Sequence, residues 1–277
     1  MISIWHWHTE PLLIGGILAV VWVYAMLVGP MREWMAPYAL FPKKEAWFFG
    51  ASVFLFYIAV GSPIDALGEN YLFSAHMFQH NLLMYTCAPL FIRGIPGWLF
   101  DGLLERSPPW LVSLTRFSLH PLVAGFAFTF AFCVWHFPAL YEAALHNKAI
   151  HAFEHITMFV TSVMMFWPIL SPSNIIRRSN PGVRVLYLFV LMVAQIPLFG
   201  ILTFSPEVLY PTYEFAPRVI PDFGPLQDQV LGGLLMKVAN MVVSLVYMGA
   251  AFYEWNAVQE REMNNRVRVS RAAMVRG

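Results

Sequence analysis

Two pairs of histidines, each with a spacing of four residues, lie inside strongly apolar stretches of the chain. The pairs are His76/His80 and His151/His155, and a single His136 ends a third apolar stretch. On a helix, residues four apart project from the same face. Ionisable side chains at membrane depth are costly and mark functional sites. Convergence of these five histidines therefore predicts a metal site.

Carboxylates and sulfur atoms near the histidines extend the candidate site. Neutral imidazole binds zinc, copper, nickel and iron, and thiolate or thioether beside it favours copper, especially Cu(I). A carboxylate that accepts from the second ring nitrogen fixes the imidazole tautomer. On these grounds, the residues predicted either to bind the metal as well or to hydrogen-bond its histidine ligands are Asp65, Cys133, Glu154, Met158 and Asp228.

Two further patterns leave metal binding open beside a structural role. His76, His80, Met84 and Cys87 form one stripe at helical spacing, of which the Met84 and Cys87 half is more typical of packing. Near the N-terminus, His6 and His8 alternate with tryptophans. That alternation is typical of an interfacial aromatic belt.

The composition indicates whether these histidines belong to a soluble protein or to a membrane protein. Of the 277 residues, 58% are hydrophobic and 12% are charged, which is too apolar for an ordinary soluble domain. The net charge of +1 gives no indication of nucleic-acid binding. The chain is therefore predicted to be a membrane protein.

Seven apolar runs are long enough to cross a bilayer as helices. Because lipid offers the backbone no hydrogen-bond partners, the predicted fold is all-α, a single membrane domain built as a bundle of seven transmembrane helices. The predicted helices lie near 12–29, 46–62, 72–92, 121–137, 152–170, 184–204 and 229–253. Residues 171–183 and 205–228 are predicted loops, the second long enough to fold over a helix mouth.

The distribution of Lys and Arg predicts the orientation. Of the 17 basic residues, 14 fall in the loops on one side or in the tail, while Lys148 and Arg218 lie on the other side and Lys237 lies within the last helix. The positive-inside rule then places the N-terminus outside and the basic tail 254–277 in the cytoplasm. The paired histidines and His136 fall at the outer ends of their helices.

Several motifs carry a resemblance to a known family. They are SPID at 62–65, SAHMFQH at 74–80, WHFP at 135–138, His151 with Glu154 and His155, FWP at 166–168, and DQ at 228–229. In order and spacing they resemble the CtaG-type cytochrome c oxidase assembly factors of bacteria, from about residue 60 to 250. The matched segments add Met77 and Met236 to the candidate site.

The resemblance implies a multi-pass protein of the bacterial plasma (inner) membrane that is needed to make an active haem-copper oxidase and is not an enzyme. It implies a cytochrome c oxidase subunit as partner, and a periplasmic copper chaperone and a homo-oligomer remain open. The leading hypothesis is a protein that binds copper at its outer face and delivers it to the oxidase.

Two other hypotheses use the same histidines. In a zinc-dependent membrane hydrolase, His76, His80 and either His136 or His155 would hold the metal, with Asp65 or Glu154 as base. In a haem protein, His80 and His155 would be axial ligands.

Overall fold

The described chain consists of helices and their connections. The computed structural model describes the backbone of residues 5–276 and the side chains of residues 5–265, and it contains no strand within that range. This confirms the all-α prediction. The helices, labelled in chain order, are α1 (Pro11–Val28), α2 (Arg32–Met35), α3 (Lys43–Gly61), α4 (Pro63–Asn70), α5 (Phe73–Gly94), α6 (Gly97–Glu105), α7 (Pro109–Ser118), α8 (Pro121–Trp135), α9 (Pro138–His146), α10 (Lys148–Leu170), α11 (Pro181–Ala194), α12 (Ile196–Phe204), α13 (Pro211–Glu214) and α14 (Pro225–Arg276).

Proline marks many of the helix starts. The first residue of a helix has no intrahelical use for its N–H, and the fixed φ of proline suits this position. The helices that begin in this way are α1, α4, α7, α8, α9, α11, α13 and α14. The sequence therefore sets these boundaries locally.

Several helices are long and apolar enough to cross a bilayer. They are α1, α3, α10, the continuous stretch Pro181–Phe204, and α14. The pairs α5 with α6 and α7 with α8 also qualify when each is taken together, although the first bends by 73° and the second by 65°. The described chain thus has five candidate spans, or up to seven with the bent pairs, as expected of a multi-pass membrane protein.

Some boundaries differ from the predicted ones. Helix α10 begins at Lys148 rather than near 152, so its first two turns contain both His151 and His155. The Asn147 side chain caps this start by accepting from the N–H of Ala149 at 2.9 Å. Short helices, among them α4 and α9, occupy connections for which no helix was predicted. Within the predicted tail 254–277, the side chains of residues 266–277 lie outside the described residues.

Helix α5 lies at the centre of the bundle and packs against α3, α4, α10 and α14. Its middle section, Leu82–Cys87, is π-helical and begins two residues after His80. Such wide turns place hydrogen bonds between residues five apart and are frequent at functional sites. The Ser52 hydroxyl of α3 donates to the Cys87 carbonyl at 2.9 Å, which ties α3 to this section.

Helix α1 lies at the edge of the bundle. Only 6% of its most apolar 18-residue stretch is buried, whereas 50% of the corresponding stretch of α10 is buried. Between α1, α3 and α10 lies a lateral cleft of about 600 Å³. This cleft separates α1 from the helices that carry the histidines.

Candidate metal centre

Two contacts fix the position of α5, which carries the first histidine pair. The Asp228 carboxylate of α14 accepts from the N–H of Phe73 at 2.6 Å and of Ser74 at 3.0 Å. These N–H groups lie at a helix start and have no intrahelical acceptor, so Asp228 acts as an N-cap supplied by another helix. Asp228 therefore positions the histidine helix rather than an imidazole ring.

Glycine allows the neighbouring helices to approach α5 closely. A Cβ atom added at Gly68 of α4 would lie 2.9 Å from the Cα of His76, and one at Gly232 of α14 would collide with the Phe73 ring. Small residues at such contacts are typical of membrane helix packing. The close approach of α4 places its carboxylates beside the histidines.

The two histidine pairs face each other across the interface of α5 and α10. The ring centres are 4.3 Å apart within the first pair and 4.2 Å apart within the second. Across the interface, His80 lies 5.3 Å from His155 and His76 lies 5.4 Å from His151. Glu154 lies among them, and candidate ligand atoms of His76, His151, Glu154 and His155 are all within 4.8 Å of one another.

We call these five residues, His76, His80, His151, Glu154 and His155, the inner cluster. Every member is buried, and His76, His80 and Glu154 are 0% exposed. Both members of each pair face the cluster, whereas a haem with two axial ligands needs only one imidazole from each helix. The geometry therefore favours an ion over a haem.

Most polar atoms of the inner cluster have no hydrogen-bond partner within the described residues. These buried atoms are both ring nitrogens of His76 and of His80, Nε2 of His151 and of His155, and both carboxylate oxygens of Glu154. The Glu154 carboxylate is 3.8 Å from Nε2 of His76 and 3.5 Å from Nε2 of His80, too far for good hydrogen bonds.

Buried polar atoms without partners are costly, and a buried carboxylate is costlier still. Three imidazoles and one carboxylate with ligand atoms within 4.8 Å of one another, with His80 beside them, are a ligand set for a transition-metal ion, whose charge would compensate that of Glu154. The orphaned atoms of the inner cluster thus fit a bound cation.

One ring is oriented from outside the inner cluster. The Nδ1 atom of His151 lies 2.7 Å from Oε1 of Glu69 on α4. Since a carboxylate can only accept, Nδ1 carries the proton, and in the neutral ring Nε2 presents its lone pair to the cluster. Burial acts to raise the pKa of Glu69, but the hydrogen bond from His151 and the charges of His151, His8 and His76 together outweigh it and lower that pKa. Glu69 is therefore a carboxylate at neutral pH.

Comparison with known proteins identifies the family. The family model described as cytochrome c oxidase caa3 assembly factor matches residues 22–257. The chain belongs to this family. The resemblance seen in the sequence motifs is thereby confirmed. Neither the comparison with curated proteins nor the one with solved structures gives a match. As an oxidase assembly factor, the protein interacts with a cytochrome c oxidase.

His136 of the assembly factor lies beside the inner cluster. Its Nδ1 donates to the Phe132 carbonyl at 2.6 Å, so Nε2 is the free acceptor, and this atom lies 3.3 Å from Sδ of Met77. The His136 ring is 6.0 Å from that of His80. The structure thus brings His136 and Met77 together next to the cluster.

Other predicted site residues lie elsewhere. Cys133 is exposed on α8, on the outer side of that helix, so the structure does not bring it to the inner cluster. Met158 and Met236 belong to the buried apolar core. Asp65 accepts from the Gln79 side-chain amide and lies near His8.

Three tyrosines cover the inner cluster. The Tyr141 ring of α9 is 5.2 Å from that of His76. The Tyr213 hydroxyl donates to the Gly68 carbonyl at 2.6 Å and lies 2.9 Å from that of Tyr141, and the Tyr210 hydroxyl donates to the His136 carbonyl at 2.8 Å. Two of these residues, Tyr210 and Tyr213, come from the long connection before α14, whose length in the sequence is enough to fold over a helix mouth.

Sequence reasoning missed Glu69, and it predicted Glu154 either as an additional ligand or as a partner of the histidine ligands, without placing it among them. Both had a usable signal. Asp65 and Glu69 are four residues apart, the same spacing as the histidine pairs, and Glu154 shares a helical face with His151 and His155.

Proposed function

We propose that this assembly factor binds a copper ion in the inner cluster and passes it to a cytochrome c oxidase subunit. The single observation that supports the proposal most strongly is the set of buried ring nitrogens and carboxylate oxygens without hydrogen-bond partners. An assembly factor for an oxidase whose active form contains copper has a direct use for such a site.

The ligand chemistry supports copper held by imidazole. Imidazole and carboxylate suit Cu²⁺ as well as Zn²⁺, and copper generally binds such donors more tightly. The exposed position of Cys133 removes the thiolate that would favour Cu(I), although Met77 brings a thioether next to His136. The donor set is therefore less soft than the sequence predicts.

Delivery requires that the ion can leave. The inner cluster lies where α4, α5, α9 and α10 meet, near one end of the bundle, and the tyrosine cover includes residues from a loop. A loop can move without unfolding a helix. We propose that the oxidase subunit, or a periplasmic copper chaperone, reaches the cluster by displacing this cover.

The proposal includes a location and an orientation. The charge distribution supports a bacterial plasma membrane protein with its N-terminus outside and its C-terminus in the cytoplasm. In that orientation the inner cluster lies near the outer face. The orientation can be tested by fusing to the C-terminus a reporter enzyme that is active only in the periplasm. Activity of this fusion would contradict the orientation.

The test is metal analysis of the purified full-length protein in detergent. We expect wild-type protein to retain copper after desalting, and His76→Ala with His80→Ala to reduce it to background. His146→Ala is the matched control, because His146 is 69% exposed and pairs only with Glu142 of its own helix. Copper near background in wild type, or unchanged in the double variant, would refute the assignment.

A single variant and a cellular measurement distinguish loss of the metal site from misfolding of the double variant. His155→Gln keeps a polar side chain of similar volume and is expected to lower copper retention in protein that elutes as the wild type does. In cells, we expect both histidine variants to lower the copper-to-haem ratio of the oxidase while His146→Ala leaves it unchanged.

A zinc-dependent hydrolase is the second candidate, favoured by one observation. His76, His151 and His155 resemble a three-histidine zinc site, and Glu154 lies close enough to serve as a base. Zinc retained in place of copper, together with lipid turnover that Glu154→Gln abolishes, would support this function instead.

A further inference from the structure

A second group of ligand-type residues lies beside the inner cluster. His8, Asp65 and Glu69 have candidate ligand atoms within 4.8 Å of one another, and we call them the outer cluster. Nε2 of His8 is 3.1 Å from Oδ2 of Asp65. Imidazole comes here from the segment before α1, and both carboxylates come from one face of α4.

The His8 segment is docked onto the bundle. The N–H of His8 donates to the Gly61 carbonyl at 2.8 Å, and the Tyr57 hydroxyl donates to the His8 carbonyl at 3.2 Å. Glu10 holds the other ring nitrogen, its Oε1 being 2.9 Å from Nδ1. The imidazole is thus fixed against α4. The sequence shows only that His8 precedes an apolar helix.

The outer cluster contains buried polar atoms that its internal contacts leave unpartnered. Nε2 of His8 lacks a well-aligned hydrogen bond in spite of its short distance to Asp65. Gln79 is 0% exposed and donates to Asp65, while its own Oε1 has no partner among the described residues. Asp65 is itself 4% exposed. A simple surface ion pair would not bury an amide oxygen in this way.

The outer cluster connects directly to the inner one. Glu69 bonds to Nδ1 of His151, so it is a member of the outer cluster and the positioning residue of the inner cluster at once. The lateral cleft is lined at one end by His8, Asp65 and Glu69 and also by His151 and His155. One cavity therefore touches both ligand sets.

We propose that the outer cluster is a second cation site, at which a divalent transition-metal ion binds before it moves to His151 of the inner cluster. Imidazole with two carboxylates suits Cu²⁺ or Zn²⁺ rather than Cu(I). Only the destination of the ion rests on the function proposed above.

The transfer is an exchange of ligands. The ion keeps its charge, so no electron is gained or lost, and any proton displaced from His8 leaves to solvent. Glu69 has two carboxylate oxygens, of which Oε1 is engaged by His151, so Oε2 can hold the ion next to the ring that receives it. The same ion therefore leaves the carboxylates of the outer cluster and binds in the inner cluster.

The experiment counts bound Cu²⁺ in the full-length protein by electron paramagnetic resonance and follows loading by stopped flow. We expect two spectroscopically distinct copper ions in wild type. His8→Ala should remove one of them, since loss of even a residue that only hydrogen-bonds a metal ligand lowers metal affinity about 10–100-fold. The same variant should slow the loading of the other ion by about tenfold or more. Equilibrium occupancy of the inner cluster should remain.

Asp65→Asn is a second variant that keeps the side-chain shape, and it should act as His8→Ala does. His146→Ala is the control and should bind two ions. A single copper signal in wild type that loads equally fast in His8→Ala and Asp65→Asn would overturn the second site while leaving the proposed function intact. No bound copper in wild type, or binding insensitive to His76 and His80, would instead overturn the proposed function.

Discussion

The inner and outer clusters use the same residue types in opposite proportions. The inner cluster has four imidazoles for one carboxylate, all buried on long helices, and most of its polar atoms lack partners among the described residues. The outer cluster has one imidazole for two carboxylates and takes its histidine from a docked terminal segment. The imidazole of His8 lies near both Asp65 and Glu10, so it offsets part of the negative charge of the carboxylates.

This difference indicates different tasks. A site whose own groups are unsatisfied gains most from a cation, so the inner cluster is suited to retention. A site whose histidine already offsets part of its negative charge gains less from a cation, so the outer cluster is suited to exchange. Burial and charge balance, more than the identity of the ligands, separate the two.

The largest expected effect concerns the only carboxylate of the inner cluster. Glu154→Gln removes its charge while keeping its shape, and copper affinity should fall about 100-fold, or about 2.8 kcal/mol. Metal-free protein should be as stable as wild type or more so, because a buried charge without close partners is removed. Competition with a copper chelator and thermal unfolding measure the two effects.

Glu105→Gln, on an exposed carboxylate at the end of α6, is the control for both measurements. Equal copper affinity in Glu154→Gln and wild type would contradict the distinction drawn between the two clusters, since the inner cluster would then bind copper without help from the Glu154 charge.

The next effect concerns the rigidity of the inner cluster. Asp228→Ala removes the cap of the helix that carries His76 and His80 and should lower the free energy of unfolding by about 1–2 kcal/mol. Thermal unfolding in detergent measures it, with Glu105→Ala as the control. An unchanged unfolding temperature would show that α5 does not depend on this carboxylate for its start.

A smaller effect is expected at the cover. Tyr213→Phe deletes the hydroxyl that joins Tyr141 to the Gly68 carbonyl, and a net hydrogen bond contributes about 1 kcal/mol. Bound copper should therefore pass to a chelator about fivefold faster, as release kinetics would reveal. Tyr253→Phe, on an exposed tyrosine of α14, should release copper at the wild-type rate.

The smallest effect is a pH transition of the outer cluster in metal-free protein. The Asp65 carboxylate raises the pKa of His8 from 6.5 to about 9, against the opposing effect of burial and with further help from Glu10. A raised histidine pKa means that the pairing stabilises fully below pH 6.5 and is lost as pH rises through about 9.

Trp7 is adjacent to His8 and its ring lies 6.1 Å from that of Tyr57, so its fluorescence should change near that pH. The transition should vanish in His8→Ala. A wild-type fluorescence signal that stays flat between pH 7 and 10 would show that the docked segment does not depend on the charge of His8.

The sequence by itself determined the elements and the pairing of the histidines. Apolar runs of spanning length can satisfy their backbone in lipid only as helices, so the all-α fold follows from composition and run length. Within a helix the period of 3.6 residues places His76 with His80 and His151 with His155, whatever surrounds them. Proline then sets many of the helix starts.

Only the tertiary structure decided which faces meet. Cys133 and Glu154 each lie near a candidate histidine in the sequence, yet helix rotation exposes the first and buries the second. Contacts such as Glu69 with His151 and His8 with Asp65 join residues far apart in the chain. Local periodicity carries no information on helix rotation or on how closely helices approach, because those depend on packing summed over the whole bundle.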